Sequence, residues 1–222
     1  MSMQKNQIIN FNFFMILEPT KFKKVLLVGL DVDLVGELRQ NKISIEGYTS
    51  NKSKTNCNLK YLGNIYNFKQ IKKDVGILLT DSDIKIKHFV FKKFKKNLCT
   101  FFSKYSQIPV RKNIGIGSII QANVFLSENA KIGDCVKVNV GCQIHHDVEI
   151  GDYSILGPNC VVLGDSKISK NCFIGSSSTI RNKIFVASNT FLKMGSVLLK
   201  STIKDGVYFG YPAKYQKKNE KI

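Results

Sequence analysis

Two of the three histidines in this 222-residue chain are adjacent and run straight into a carboxylate, as His145-His146-Asp147. An imidazole exchanges protons near neutral pH, with an unperturbed value of about 6.5 for the residue type. A neighbouring carboxylate can orient that ring or stabilise its charged form, which is the pairing a general base needs. By itself such a pair reads as solvated turn. Its spacing to Gly164, 18 residues after His146, says more. If 18 residues make one turn of a regular structure, the glycine occupies the same corner one turn later. It then leaves room beside the imidazole and exposes a backbone N–H, a donor suited to a developing oxyanion. A metal reading fares worse. His88 lies far off in a lysine-rich segment, so three histidines at different levels are not available, and the chain has no Cys-x-x-Cys pair. No metal is expected.

The element that must position these residues is a hexad repeat running from Ile114 to Ile203 without insertion or deletion. Its first positions are all aliphatic, among them Ile132, Val138, Ile144, Ile150, Leu156 and Val162. The fifth positions are mostly small, and include Ser118, Cys142, Ser154, Cys160, Ser166 and Cys172. Neither the helical nor the simple strand period gives this spacing. Three short strands per coil, or 18 residues, do. Ninety residues then make five coils of a parallel β-helix. Glycines at second positions (Gly115, Gly133, Gly151, Gly157, Gly175) suit a turning backbone, and fourth-position asparagines (Asn123, Asn129, Asn159, Asn171, Asn189) suit the left-handed conformation.

Composition narrows the class. No run of 18 apolar residues is present, so no membrane span is expected. The stretch Asn10–Leu17, with its apolar patch, reads as an extra strand or an arm, since Glu18 and Pro19 follow it and a leader pattern is not formed. Three of the six cysteines fall at fifth positions and read as small core residues, which suits a reducing cytoplasm. The net charge of +18 sits mainly before the repeat: residues 1–113 carry +13, the repeat +2 and the tail +3. Lys85, Lys87, Lys92, Lys93, Lys95 and Lys96, interleaved with Phe89, Phe91 and Phe94, invite a nucleic-acid reading. The spacing of Ile86, Phe89, Val90 and Phe94 instead fits an amphipathic helix with a solvated lysine face, so nucleic acid is not the expected partner.

Ahead of the repeat, Lys23–Gly29, Ile43–Tyr48 and Asp74–Thr80 read as strands, with helices over Asp33–Asn41 and the basic segment, and a short strand near Ile108–Val110. Strands alternating with helices predict a small parallel α/β unit, with ligands beyond the carboxyl ends of its strands. The turn after the first strand, Gly29-Leu30-Asp31-Val32-Asp33, keeps one glycine of a phosphate-binding loop and adds two carboxylates that repel phosphate. The expected division is an extension at 1–21, an α/β domain at 22–110, the β-helix at 111–205 and a basic tail at 206–222.

The run Asn139–Asp152 resembles the active-site stretch of the sugar O-/N-acetyltransferases, a group that includes sialic-acid O-acetyltransferases and N-acetyltransferases of nucleotide-linked 4-amino sugars. Gly210-Tyr211-Pro212-Ala213-Lys214 is similar to the ending of many hexapeptide acyltransferases. The resemblance implies a Rossmann-like α/β domain, then a left-handed β-helix assembled as a homotrimer, with acetyl-CoA as co-substrate. It implies His146 as general base, Asp147 as its partner and Gly164 as the amide that meets the thioester carbonyl. Ser176, Ser177, Met194 and Gly195 would line the acetyl-CoA arm, while Asn139, Gly29 and Tyr48 would serve the acceptor. Two departures stand out: Ile155 replaces a second histidine of the pattern, and Tyr48-Thr49 lies near the place of an acidic pair. The implied activity is transfer of acetyl to the amine of a nucleotide-linked amino sugar. A sugar O-acetyltransferase or a non-catalytic scaffold is the alternative.

Overall fold

A computed structural model describes residues 17–18, 21–51 and 57–219. Most of the predicted arm therefore lies outside the described residues. Its last residue, Leu17, forms with Glu18 the short strand β1 (Leu17–Glu18), which pairs antiparallel with β5 (Thr100–Phe102).

The repeat folds as a left-handed parallel β-helix with 18 residues per coil, so Gln143 pairs with Val161, Glu149 with Lys167 and Ile155 with Phe173. Three faces result. The first stacks Ile119–Ile120, Lys137–Val138, Ile155–Leu156, Phe173–Ile174 and Thr190–Leu192. The second stacks Phe125–Leu126, Gln143–Ile144, Val161–Val162, Thr179–Ile180 and Val197–Leu198. The third stacks Lys131–Ile132, Glu149–Ile150, Lys167–Ile168 and Phe185–Val186. The aliphatic first positions fill the prism, with Ile144, Leu156, Val162, Ile174 and Ile180 fully buried in one cluster.

The corners are built by two positions of the hexad. Every fourth position from Gly117 to Asn189, and then Gly195, has positive φ, so fourteen consecutive corners share one left-handed geometry. Asparagine meets that demand most often, as expected. The second-position glycines serve a different purpose from the one read in the sequence. Their φ is not positive; a Cβ on Gly133 or Gly151 would come within 2.7 or 2.6 Å of backbone in the next coil. Close stacking of coils, not conformational freedom, excludes a side chain there.

Fifth-position side chains are more than small. Ser118, Ser154, Ser166 and Ser178 donate to the carbonyls of Gly133, Ser169, Arg181 and Lys193, each 15 residues on, at 2.7–3.1 Å. Cys142, Cys160 and Cys172 do the same toward Gly157, Gly175 and Ala187. Each hydroxyl or thiol thus ties a corner to the coil above while staying buried. All six cysteines are free thiols, and burial pushes Cys99, Cys135 and Cys172 up to about 12. These three are inert packing groups.

Before the repeat, β2 (Lys24–Val28) lies between β3 (Ser44–Thr49) and β4 (Val75–Leu79) in a three-stranded parallel sheet, with α1 (Val32–Gln40) and α2 (Ile84–Phe94) as its helices. The β-helix begins earlier than residue 111. β5 pairs parallel with Ile119–Ile120, and Gln107 bridges to Phe125, in the same 18-residue register. No hexad pattern marks this coil. The strand read near Ile108–Val110 reduces to that single bridge at Gln107.

The α/β unit is fastened to the first face and to both edges that border it. Lys137 on the first face reaches Asp31 at 2.8 Å, and Gln121 donates to the same carboxylate at 2.9 Å. At the edge, Lys87 donates to the Cys135 carbonyl at 2.8 Å, His88 meets Asn171 at 3.0 Å, and the His88 ring lies on Tyr153. Lys87 is fully buried, which corrects the reading of a wholly solvated lysine face. Its burial lowers its pKa to about 7.

Candidate functional site

His146 stands on the edge between the second and third faces, the edge that does not border the face carrying the α/β unit. The hexad places it at a third position. Above it in the same column is Gly164, and a Cβ there would lie 2.5 Å from both Cε1 and Nε2 of the imidazole. The ring therefore occupies the space that any other residue would fill. Register alone predicted this contact, and the structure makes the glycine a steric requirement. Gly164 N–H has no hydrogen-bond partner among the described residues, while its carbonyl accepts from Lys183 N at 3.0 Å.

Asp147 follows at the fourth position with φ of 58°. Its Oδ2 lies 3.0 Å from His146 Nδ1. A carboxylate only accepts, so this contact places the ring proton on Nδ1 and leaves the Nε2 lone pair free. Nε2 is the atom beside Gly164. Both side chains are open to solvent, at 60% and 48% exposure, so a substrate can reach them directly. A shallow hollow on the third face borders Asp147 and is lined by Val110, Asn113, Asn129, Lys131 and Glu149.

One neighbour escaped the sequence reading. Asp165, one coil above Asp147, brings a carboxylate oxygen within 4.8 Å of His146 and Asp147. The signal was present, since Asp165 lies 18 residues after Asp147, as Gly164 does after His146.

The remaining predicted residues do not join this group within one chain. Asn139, Ser176, Ser177, Met194 and Gly195 all lie on the edge between the first and second faces, one face away from His146. Asn139 Nδ2 donates to the Leu156 carbonyl, and Ser176 N approaches the space over Gly157. Met194 is strongly exposed on this edge. Gly29 and Tyr48 belong to the α/β sheet. A Cβ on Gly29 would meet Asp81 N at 2.7 Å, so protein backbone fills the room beside it. Tyr48 is fully buried, with its ring on Tyr61, and presents no surface to a ligand. The first turn of α1 is likewise occupied: Asp31 Oδ1 accepts from Leu34 N at 3.0 Å, while Lys137 and Gln121 hold Oδ2. A phosphate would have to displace that carboxylate.

Comparison with known proteins agrees on the architecture. Residues 129–164 and 147–182 match the family described as bacterial transferase hexapeptide (six repeats), and this stretch contains His146, Asp147 and Gly164. No curated protein matches the chain by sequence. Among solved structures, the acetyltransferase domain of PglB from Neisseria gonorrhoeae FA1090, in complex with acetyl coenzyme A, superposes with a TM-score of 0.79 at 16% identity. That match covers 88% of this chain and all of the other. PerB from Caulobacter crescentus, in complex with CoA and GDP-perosamine, gives 0.76 at 18% identity over 87% and 97% of the two chains. WeeI from Acinetobacter baumannii AYE gives 0.74 at 19% identity over 87% and 99%. The chain thus has the fold of these proteins: hexapeptide coils preceded by a small α/β unit.

Proposed function

We propose that this protein is an acetyl-CoA-dependent acyltransferase that N-acetylates the amine of a nucleotide-linked amino sugar, with His146 as general base. The observation that carries the reading is the imidazole itself, with Nδ1 on Asp147 and Nε2 over the bare backbone of Gly164. The complexes of PglB with acetyl coenzyme A and of PerB with CoA and GDP-perosamine support the choice of co-substrate and acceptor class.

In this mechanism the neutral acceptor amine attacks the thioester carbonyl. Nε2 of His146 takes the amine proton, and the Gly164 N–H stabilises the oxyanion. The C–S bond then breaks, and the proton passes to the departing sulfur, which leaves as the free thiol. Asp147 holds the ring and stabilises its charged form.

Self-association completes the site. The residues assigned to the acetyl-CoA arm and the base lie on different edges of one prism, and the α/β unit lies on the far side from His146. A second copy has to bring one edge against the other, which supports a homotrimer of this chain.

A second reading is favoured by Asp31. Because its carboxylate already fills the first turn of α1, the nucleotide is not held there by phosphate contacts of the usual kind. A sugar without a nucleotide, acetylated on oxygen, fits that observation. The test is acetyl-CoA with a panel of nucleotide-linked amino sugars, their hydroxyl analogues and free sugars, followed by thiol release. Turnover with the amine and none with the hydroxyl analogue decides for N-transfer. No thiol release with any acceptor overturns both readings and leaves a scaffold.

A further inference from the structure

Of the fourteen left-handed corners, five are asparagine and three glycine, the residue types that tolerate this backbone best. Only two are aspartate, Asp147 and Asp165. They stand on successive coils of the same edge and flank the His146–Gly164 column. Nothing in the backbone calls for a carboxylate at Asp165, since asparagine serves the same geometry at Asn129 on this very edge.

We propose that Asp165 is a second positioning residue for the His146 base, bracketing the imidazole from the coil above as Asp147 does from its own. The inference rests on His146 acting as the base. Asp165 is held for this task by two constraints. Its φ is 61°, and its N–H donates to the His146 carbonyl at 3.1 Å, which ties its backbone to that of the histidine. One oxygen of its carboxylate lies within 4.8 Å of the imidazole. When Nε2 takes the acceptor proton, the ring becomes an imidazolium with one carboxylate at Nδ1 and a second beside it. The charged state is stabilised most when both are present. The other titratable and charged groups on this edge are Glu128 below His146, His145 beside it, and Arg181, Lys183 and Lys200 above Asp165. Among the described residues, none of these three cations lies within 4.0 Å of the Asp165 carboxylate.

Asp165→Asn removes the charge and keeps the residue type that this corner accepts. Two measurements follow it. The first needs no acceptor: proton NMR titration of the imidazoles in the full chain, with only His88, His145 and His146 to assign and His146→Ala to identify the third. In Asp165→Asn the His146 midpoint moves to lower pH while His88 stays where it was, and Asp165→Glu restores it. The second is thiol release. A unit charge near 4.8 Å in water corresponds to about a three- to fivefold effect, so Asp165→Asn lowers kcat/KM by that factor near neutral pH. The acid limb of its pH profile moves to lower pH. An unmoved His146 midpoint in Asp165→Asn overturns the proposal, as does a rate loss with an unmoved acid limb. If His146→Ala retains transfer, the base assignment fails instead, and the titration still reports whether Asp165 acts on the ring.

Discussion

Two edges of the prism share one backbone and differ in everything attached to it. The corners of Cys135, Tyr153 and Asn171 have φ between 54° and 61°, as do those of Asp147 and Asp165 on the histidine edge. On the first edge α2 covers the corners, burying Lys87 and laying His88 on Tyr153. On the second no element among the described residues covers the corner, and the side chains of His146 and Asp147 stand in solvent. The same histidine type is a stacking contact in one place and a candidate base in the other. The repeat supplies equivalent platforms, then, and the third- and fourth-position residues with their covering decide what each platform does.

The sharpest way to break this contrast is at His146. Replacing it by Ala should lower acetyl transfer by about 10²–10⁴-fold, the range for loss of a general base. Urea unfolding should be unchanged, because the side chain is exposed. Wild-type turnover in the purified variant would remove the histidine edge from the chemistry.

Lys87 probes the covered edge. Its folded pKa of about 7 lies below the ordinary value of 10.5, so the unfolded chain binds more protons between those limits. Stability should therefore rise as pH climbs from 7 toward 10.5, and the cost of Lys87 is fully present below 7. Lys87→Met should be more stable than the parent at pH 7 by on the order of 3 kcal/mol, after allowing for the lost bond to Cys135. The gap should narrow toward pH 10. Denaturant melts of both proteins across that window check it, and a constant gap would refute the account.

Gly164→Ala tests whether the two columns must interlock. The new Cβ falls 2.5 Å from the ring, so the imidazole has to move by more than a few tenths of an ångström. A displacement of that order should cost about 10²-fold in kcat, with little change in KM for acetyl-CoA. The same substitution at Asn182, one coil higher in the column, should leave turnover within about twofold, because it leaves the imidazole's packing unchanged. Steady-state kinetics on the pair separates a local steric effect from a general one.

The smallest expected effect lies in what the edges have in common. Ser166 Oγ donates to Arg181 O at 2.8 Å and accepts from Ile184 N at 3.2 Å, beneath the histidine edge. Ser166→Ala should destabilise by about 1–3 kcal/mol, through a buried amide left unpaired. Ser166→Cys should recover most of it, since cysteine makes the equivalent bond at Cys142 and Cys172. Thermal melts of the three proteins decide the matter.

Much of this molecule follows from the chain read in order. The hexads of 114–203 determine the coil length, the aliphatic core and the superposition of Gly164 on His146, because a strict period leaves each side chain one possible place. The left-handed corners follow from the asparagines for the same reason. Tertiary structure decided the rest. Residues 100–113 complete a coil with no hexad pattern, held by pairing to the coil above rather than by their own period. Lys87 sits among exposed lysines in the sequence, and only the docking of α2 on Cys135 separates it from them. Asp31 reads as a residue hostile to phosphate, yet its partners Lys137 and Gln121 lie about a hundred residues away and only the fold brings them to it. Periodic order is a local property that a sequence states outright. Contacts between a repeat and a non-repeating unit have no period, so only the folded chain reveals them.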